Sequence, residues 1–291
     1  MIELPTSVRP IERAGGLTFL KIDAPGGTGE LCLQGAHLTS WIPRDRSPVL
    51  WMSARSRFAP GLPLRGGIPL CFPWFNFYAH HRDAPQHGFA RVLPWTLLRV
   101  RERGDAVELA LQLRDNPMTR ATVWPYRFEL TMTITLGMEL QLALEVTNRD
   151  AKKFTFEEAF HTYFAIGDVR RTQVTGLEGL DYLIDGQGFA AEGRPLDPGP
   201  FGIGRRYSPA NSGVILDAGN RRAISVNSEE SNGVVVWNPG PATAKTIDDF
   251  SDDGWSTMLC FETCNVGEAA VTLGPGESHH MGARFSVAPL D

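Results

Sequence analysis

Lysine is scarce in this chain. Only Lys21, Lys152, Lys153 and Lys245 occur in 291 residues, so arginine supplies most of the 28 basic side chains. None of the four follows a glycine, which removes the Gly-Lys-Ser/Thr element of a phosphate-cradling P-loop. Cysteine is also sparse. Cys32, Cys71, Cys260 and Cys264 contain no Cys-x-x-Cys pair, so a zinc cluster or disulfide framework is not expected and reduced thiols in a cytoplasmic protein are. No apolar run approaches the roughly 18 residues that a membrane helix needs. The first residues lack a basic segment followed by an apolar stretch, so no secretory signal is expected. The chain carries 28 basic against 33 acidic residues, a formal charge of −5, which argues against nucleic acid as a partner. Gly202-Ile-Gly204 lacks the third glycine of a dinucleotide fingerprint, and Gly-x-Ser-x-Gly does not occur. Glu158-x-x-His161 appears once and outside any helical pattern, which excludes a di-iron bundle.

Helical periodicity is missing as well. No stretch of 12 or more residues carries a helical stripe free of the 30 glycines and 21 prolines. What is present is alternation. Val107, Leu109, Leu111 and Leu113 form one apolar face; Phe128, Leu130, Met132, Ile134 and Leu136 form another; Leu140, Leu142, Leu144 and Val146 follow after Gly137. The last two runs predict a hairpin turning at Gly137. Shorter strands are expected at 17–22, 30–33, 49–52, 169–174, 223–226, 234–237, 258–262 and 283–287. Many short strands and almost no helix imply an all-β fold of antiparallel sheets packed face to face. No composition break divides the chain, so 1–291 reads as a single domain with 186–204 as a long surface loop.

Three segments do not resemble ordinary core strands. In Pro63-Leu-Arg-Gly-Gly-Ile-Pro69, Arg65 precedes two glycines, which reads as a rigid, backbone-exposed turn holding either a ligand or a structural corner. Gln86-His-Gly-Phe-Ala-Arg91 sets an amide, an imidazole and a guanidinium in one short loop, the donors and acceptors a polar ligand needs. His80 and His81 just upstream invite a metal reading with His87, but no carboxylate or thiol completes a recognised spacing. In Glu157-Glu-Ala-Phe-His-Thr-Tyr-Phe164, a strand would put Glu157, Ala159, His161 and Tyr163 on one face. That face suits a general acid in a pocket, or a satisfied core histidine. The candidate partner is Glu262, which shares a strand face with Cys260 and Cys264. Buried there it would serve as a general base or as half of an ion pair with an arginine.

Taken together, Leu64–Pro69, Gln86–Arg91, Glu158–Phe164, Val236–Pro239 and Cys260–Glu262 resemble the glucose-6-phosphate 1-epimerase (hexose-6-phosphate mutarotase) branch of the aldose 1-epimerase superfamily. They occur in the family's order and span most of the chain. The resemblance implies a galactose-mutarotase-like β-supersandwich, an isomerase that needs no cofactor and no metal, and a hexose 6-phosphate as the small-molecule partner. It implies His161 as the acid that protonates the ring oxygen and Glu262 as the base that takes the anomeric hydroxyl proton. Arg65, Gln86, His87 and Arg91 would hold the substrate, with Arg205 and Arg206 as further anion candidates. A monomer without membrane or nucleic-acid partners is expected. The family's usual aspartate three residues before a tyrosine is absent, since the stretch here reads Gly204-Arg-Arg-Tyr207. A free-aldose epimerase and a non-catalytic sugar-binding sandwich remain the alternatives.

Overall fold

The structure, a computed structural model, describes residues 2–13, 15–78 and 81–290. Alternation decides its architecture. Phe128–Leu136 buries every second residue and pairs with Leu140–Asn148 through a hairpin at Gly137, in register from Leu136 opposite Leu140 to Phe128 opposite Asn148. This hairpin belongs to an antiparallel sheet of eight strands. Its order runs Thr172–Thr175, Ser212–Asp217, Arg222–Glu229, Ser278–Pro289, Leu140–Asn148, Phe128–Leu136, Ala106–Arg114 and Thr96–Arg103.

A second large sheet runs Gln187–Phe189, Tyr182–Ile184, Ile203–Tyr207, Gly233–Asn238, Met258–Asn265, Glu158–Phe160 and Leu70–Cys71, with Tyr163–Ala165 also paired to Met258–Asn265. The two sheets share one apolar core. Phe164 from the second meets Phe285 from the first edge-on at 5.4 Å. Each such fully buried phenylalanine contributes about 1.5–3 kcal/mol of transfer free energy. A four-stranded N-terminal sheet, Val8–Glu12 through His37–Pro43, adds Leu20, Ile22, Leu38 and Trp41 to the same core. No helix is long and apolar enough to cross a membrane among the described residues.

Met258–Asn265 is buried on both faces. Leu259 and Phe261 enter the inter-sheet core, while Cys260, Glu262 and Cys264 point the other way, under the loops that build the cleft described below. Two polar clusters lie within the fold. Glu158 and Asn265 meet His279 from the opposite sheet, with the imidazole Nε2 at 2.8 Å and the Asn265 amide at 3.0 Å from Glu158 Oε1. Arg222 binds Asp217 at 3.0 Å and donates to the carbonyls of Ser47, Pro48 and Ala165, which ties one connecting loop and the end of the strand Tyr163–Ala165 in the second sheet to the first sheet.

Two expected strands differ. Residues 49–52 form only single bridges, Leu50 to Phe164 and Met52 to Gly66, although backbone bonds tie the segment to Tyr163–Ala165 on one edge and to Arg65–Gly67 on the other. At 169–174 a 3-10 turn over Val169–Arg171, capped by Asp168, precedes the strand Thr172–Thr175. The expected loop at 186–204 contributes Gln187–Phe189 to a hairpin before running on the surface. All four cysteines are buried and unpaired.

Candidate active site

The cleft opens on the outer face of the second sheet, and its floor follows from strand register. Cys260 pairs with Tyr163 on one side and Trp237 on the other, and Trp237 in turn pairs with Gly204. One step along, Glu262 pairs with Val235. Paired residues of an antiparallel sheet project to the same side, so these side chains form one surface. The ladder between Glu158–Phe160 and Tyr163–Ala165 breaks at His161 and Thr162. On its other edge the chain stays in register with the glycine segment: beyond Ala159 opposite Cys71, His161 N–H donates to Pro69 O at 3.0 Å, and Tyr163 N–H to Gly67 O at 2.9 Å. The break leaves the register intact on both sides, with Phe160 opposite Thr263 and Tyr163 opposite Cys260. His161 therefore stands opposite Glu262. Its Nδ1 lies 3.4 Å from Glu262 Oε1 and 3.7 Å from Cys260 Sγ.

Aromatic rings fix the imidazole. Tyr163 stacks on it at 4.8 Å and 7°, while Trp237 and His87 meet it edge-on at 6.1 and 5.2 Å. His87 itself has a positive φ of 62°, a conformation few non-glycine residues adopt. Reciprocal bonds with Asn76 hold it there: His87 N–H donates to Asn76 O at 2.7 Å, and Asn76 N–H donates to His87 Nδ1 at 3.0 Å. The second bond puts the ring proton on Nε2. Arg65 crosses the cleft wall, donating from Nε to Asp249 Oδ1 at 3.0 Å and from Nη1 to the Tyr163 hydroxyl at 3.1 Å. Asn238 accepts the Gly240 N–H and donates to the carbonyls of Trp255 and Met258. That anchors the short helix Gly240–Ala244 and brings Thr243, Thr246 and Ile247 to the cleft wall. The enclosed volume is about 650 Å³.

Electrostatically the site is a buried pair beneath positive charge. Burial holds the Glu262 carboxyl well above the usual carboxylate range. Burial, and after it the charges of Arg91 and Arg65, push the His161 imidazole down to about 3. Burial thus favours the neutral form of both members, with a shared proton on Glu262 rather than on His161. Glu262 Oε2 is buried with no hydrogen-bond partner among the described residues. For Arg65, burial opposes the charge, but Tyr163 and Asp249 more than offset it and the guanidinium stays protonated.

Of the residues singled out in the sequence, Arg65, Gln86, His87, His161 and Glu262 line this cleft. Arg91 does not. It is buried behind them, donating Nη2 to the Gln86 carbonyl at 2.6 Å, and reaches the site through its charge. The glycines differ from their expected role. A Cβ on Gly67 would lie 2.4 Å from Leu38 O, and one on Gly88 2.0 Å from Phe72 O, so both serve close packing inside the protein rather than an exposed turn. Arg205 is held by Glu192 at 2.8 Å over the Tyr182 ring, away from the cleft. The Arg206 guanidinium lies against Gly267, over a neighbouring depression. Both Glu157 oxygens accept backbone N–H groups, from Phe75 and Gly267, so this carboxylate is structural. His80 lies outside the described residues, and His81 is exposed. Sequence reasoning missed Arg57, Asn76, Asp248 and Asp249, which also line the cleft. The adjacent aspartates in an otherwise apolar turn, Ile247-Asp-Asp-Phe250, were the one available signal.

Comparison with known proteins gives one answer. The aldose 1-epimerase family model matches residues 19–286. A protein of Escherichia coli strain K12 described as "Putative glucose-6-phosphate 1-epimerase" is 36% identical over 272 residues, covering 92% of this chain and 90% of that protein. Its namesake in Salmonella typhimurium strain LT2 is 37% identical over 267 residues, covering 90% and 88%. The crystal structure of "a putative mutarotase" from Salmonella typhimurium superposes with a TM-score of 0.90 at 32% identity, covering 99% and 96%. A galactose mutarotase-like protein from Clostridium acetobutylicum shares the fold, with a TM-score of 0.75 at 13% identity.

Proposed function

The chain belongs to the aldose 1-epimerase family and is an epimerase, and from that premise we propose that it interconverts the α and β anomers of a hexose 6-phosphate, glucose 6-phosphate, by acid–base ring opening and closure. The observation that carries this reading is the side-by-side placement of His161 and Glu262, 3.4 Å apart, at the base of an open, sugar-sized cleft. Ring opening moves one proton onto the ring oxygen and removes one from the anomeric hydroxyl, so a matched acid and base suffice. In this reading His161 delivers the first proton and Glu262 takes the second. Afterwards Glu262 holds the proton and His161 is neutral, the distribution that burial of the pair favours. Closure on the other face of the aldehyde reverses both transfers and yields the other anomer.

Starting the cycle requires the pair's proton on His161. A phosphate dianion near Arg65 and Arg91 would offset the positive potential that, after burial, disfavours the imidazolium. Substrate binding thus favours the reactive distribution. Arginine suits this role because its fork of donors matches phosphate oxygens. Trp237 offers the sugar ring an apolar face beside the reacting pair.

A free-aldose substrate is the second reading. It is favoured by the engagement of Arg65 with Asp249 and by the placement of Arg91 behind the Gln86 loop. Anomer-exchange NMR decides between them. Acceleration of glucose 6-phosphate exchange well beyond that of free glucose is expected; equal acceleration of both would assign the free sugar, and exchange at the uncatalysed rate for both would sink the reading.

A further inference from the structure

The acid–base mechanism uses His161 and Glu262 but leaves Cys260 without a role. That thiol is buried beneath the cleft lining, between the register positions of Tyr163 and Trp237, and the Nδ1, Sγ and carboxylate oxygen of His161, Cys260 and Glu262 all fall within 4.8 Å of one another. We propose that these three side chains form a preorganised site for a thiophilic divalent cation of the zinc type, and that an ion seated there stops turnover.

The distances carry the argument. A tetrahedral zinc with Zn–N near 2.05, Zn–O near 2.1 and Zn–S near 2.3 Å has ligand–ligand edges of about 3.4 Å for N to O and about 3.6 Å for S to N. The corresponding separations here are 3.4 Å for His161 Nδ1 to Glu262 Oε1 and 3.7 Å for Cys260 Sγ to His161 Nδ1. Two of the three edges are therefore already set by the strands before any ion arrives. The third, Cys260 to Glu262, lies between residues of one strand that share a face, and side-chain rotation can adjust it.

A second observation points to a ligand. Glu262 is 1% exposed, and its Oε2 has no hydrogen-bond partner among the described residues. A buried carboxylate oxygen left unsatisfied is costly, and a cation that Glu262 binds through both carboxylate oxygens would satisfy it. Entry is open, since His161 and Glu262 both line the cleft. Three protein ligands leave a fourth position for water. Binding involves no electron transfer: the Cys260 S–H and Glu262 O–H bonds break heterolytically, the two protons leave to solvent, and S–Zn, O–Zn and N–Zn contacts form. With its carboxylate and imidazole committed to the ion, the pair can neither take nor deliver a proton. This inhibitory half rests on the acid–base reading above; the binding half does not.

Cobalt(II) and zinc(II) titrations of the chelator-treated full chain test both halves. Cobalt should give a thiolate-to-metal charge-transfer band that saturates at one equivalent. Zinc should inhibit anomer exchange reversibly, with chelator restoring the rate. In Cys260→Ser, folded by circular dichroism, the band should vanish. Its zinc inhibition constant, measured against that variant's own metal-free rate, should rise at least about 10- to 100-fold, the loss that follows even when only a group orienting a metal ligand is removed. Cys260→Ala, which adds no hydroxyl to the buried position, gives the same comparison if serine is not tolerated. A wild-type protein without the band, or zinc sensitivity unchanged in both variants, would overturn the site. A band with undiminished turnover would overturn the inhibition and the acid–base reading with it, leaving the binding half standing.

Discussion

His161 and Glu262 occupy one register position on neighbouring strands, with Nδ1 and Oε1 3.4 Å apart, although the ladder between them is interrupted at His161 itself. On its other edge His161 bonds Pro69 O, continuing the pairing of Ala159 with Cys71, and so links the pair to the arginine–glycine segment.

The pair should behave as a unit. His161→Ala and Glu262→Gln are each expected to lower kcat on the order of 10²-fold or more, the usual scale for a general acid or base. The double variant should be far less than multiplicatively worse, because one half of a proton-transfer pair achieves little alone. Steady-state anomer exchange on folded variants measures this, and near-full activity in both single variants would remove the assignment.

The same burial makes the site a stability cost. The native chain keeps a proton on Glu262 to higher pH than the unfolded chain, whose ordinary pKa is about 4.3. The native state thus binds more protons, so this group lowers stability progressively as pH rises from the unfolded value toward the raised folded one. Glu262→Gln does not titrate. Its melting temperature relative to the wild type should therefore climb across that window, even as activity is lost. Thermal unfolding at several pH values checks the slope; a difference independent of pH would contradict the buried, protonated state.

The inter-sheet cluster has the opposite origin and the same sign. Burial opposes the charge of His279, but its bond to Glu158 outweighs that and raises its pKa. Its contribution is fully present below the unfolded value of about 6.5 and is lost as pH rises through the raised folded value. Denaturant unfolding should show this decline in the wild type and a flatter curve in His279→Gln. Parallel curves would place the interaction at no net value.

Much of this was legible in the sequence, for reasons that also set the limits. Alternation from Phe128 to Val146 predicts the hairpin because a half-buried strand must bury every second side chain. The strand-face rule placed His161 with Tyr163, and Glu262 with Cys260, before any coordinates. It could not align the two strands, because the register between them is set by packing over a hundred residues apart in the chain. The role of Gly67 is hidden for a related reason: a glycine needed for close approach to Leu38 O looks the same in sequence as one needed for an exposed turn. Asp249 and Arg57 escaped notice because their significance depends on Arg65 and the cleft wall, which lie far away in the chain.

The arginines offer the sharpest test of substrate class. Three stand near the cleft in different circumstances. Arg57 lines its rim and pairs with Asp248 at 3.5 Å, with both side chains largely exposed, so that pair is readily exchanged for another anion. Arg65 is partly buried and tied to Asp249 and Tyr163. Arg91 lies deeper, tied to the Gln86 carbonyl. If a 6-phosphate is held by charge-assisted bonds, removing one contact costs roughly 1.5–3 kcal/mol, or about 10- to 100-fold in KM. That loss should fall on the phosphorylated sugar and spare the free hexose. Arg57→Ala is the cleanest case because it leaves no buried carboxylate behind. Arg65→Ala strands Asp249 and should also lower thermal stability, so its diagnostic quantity is the ratio of KM for phosphorylated and free sugar, not either value alone. Arg205→Ala, whose side chain is engaged by Glu192 and Tyr182 outside the cleft, should leave the ratio unchanged. Equal kinetic losses on both sugars in Arg57→Ala, Arg65→Ala and Arg91→Ala would remove the phosphate from the proposal and assign the cleft to a free aldose.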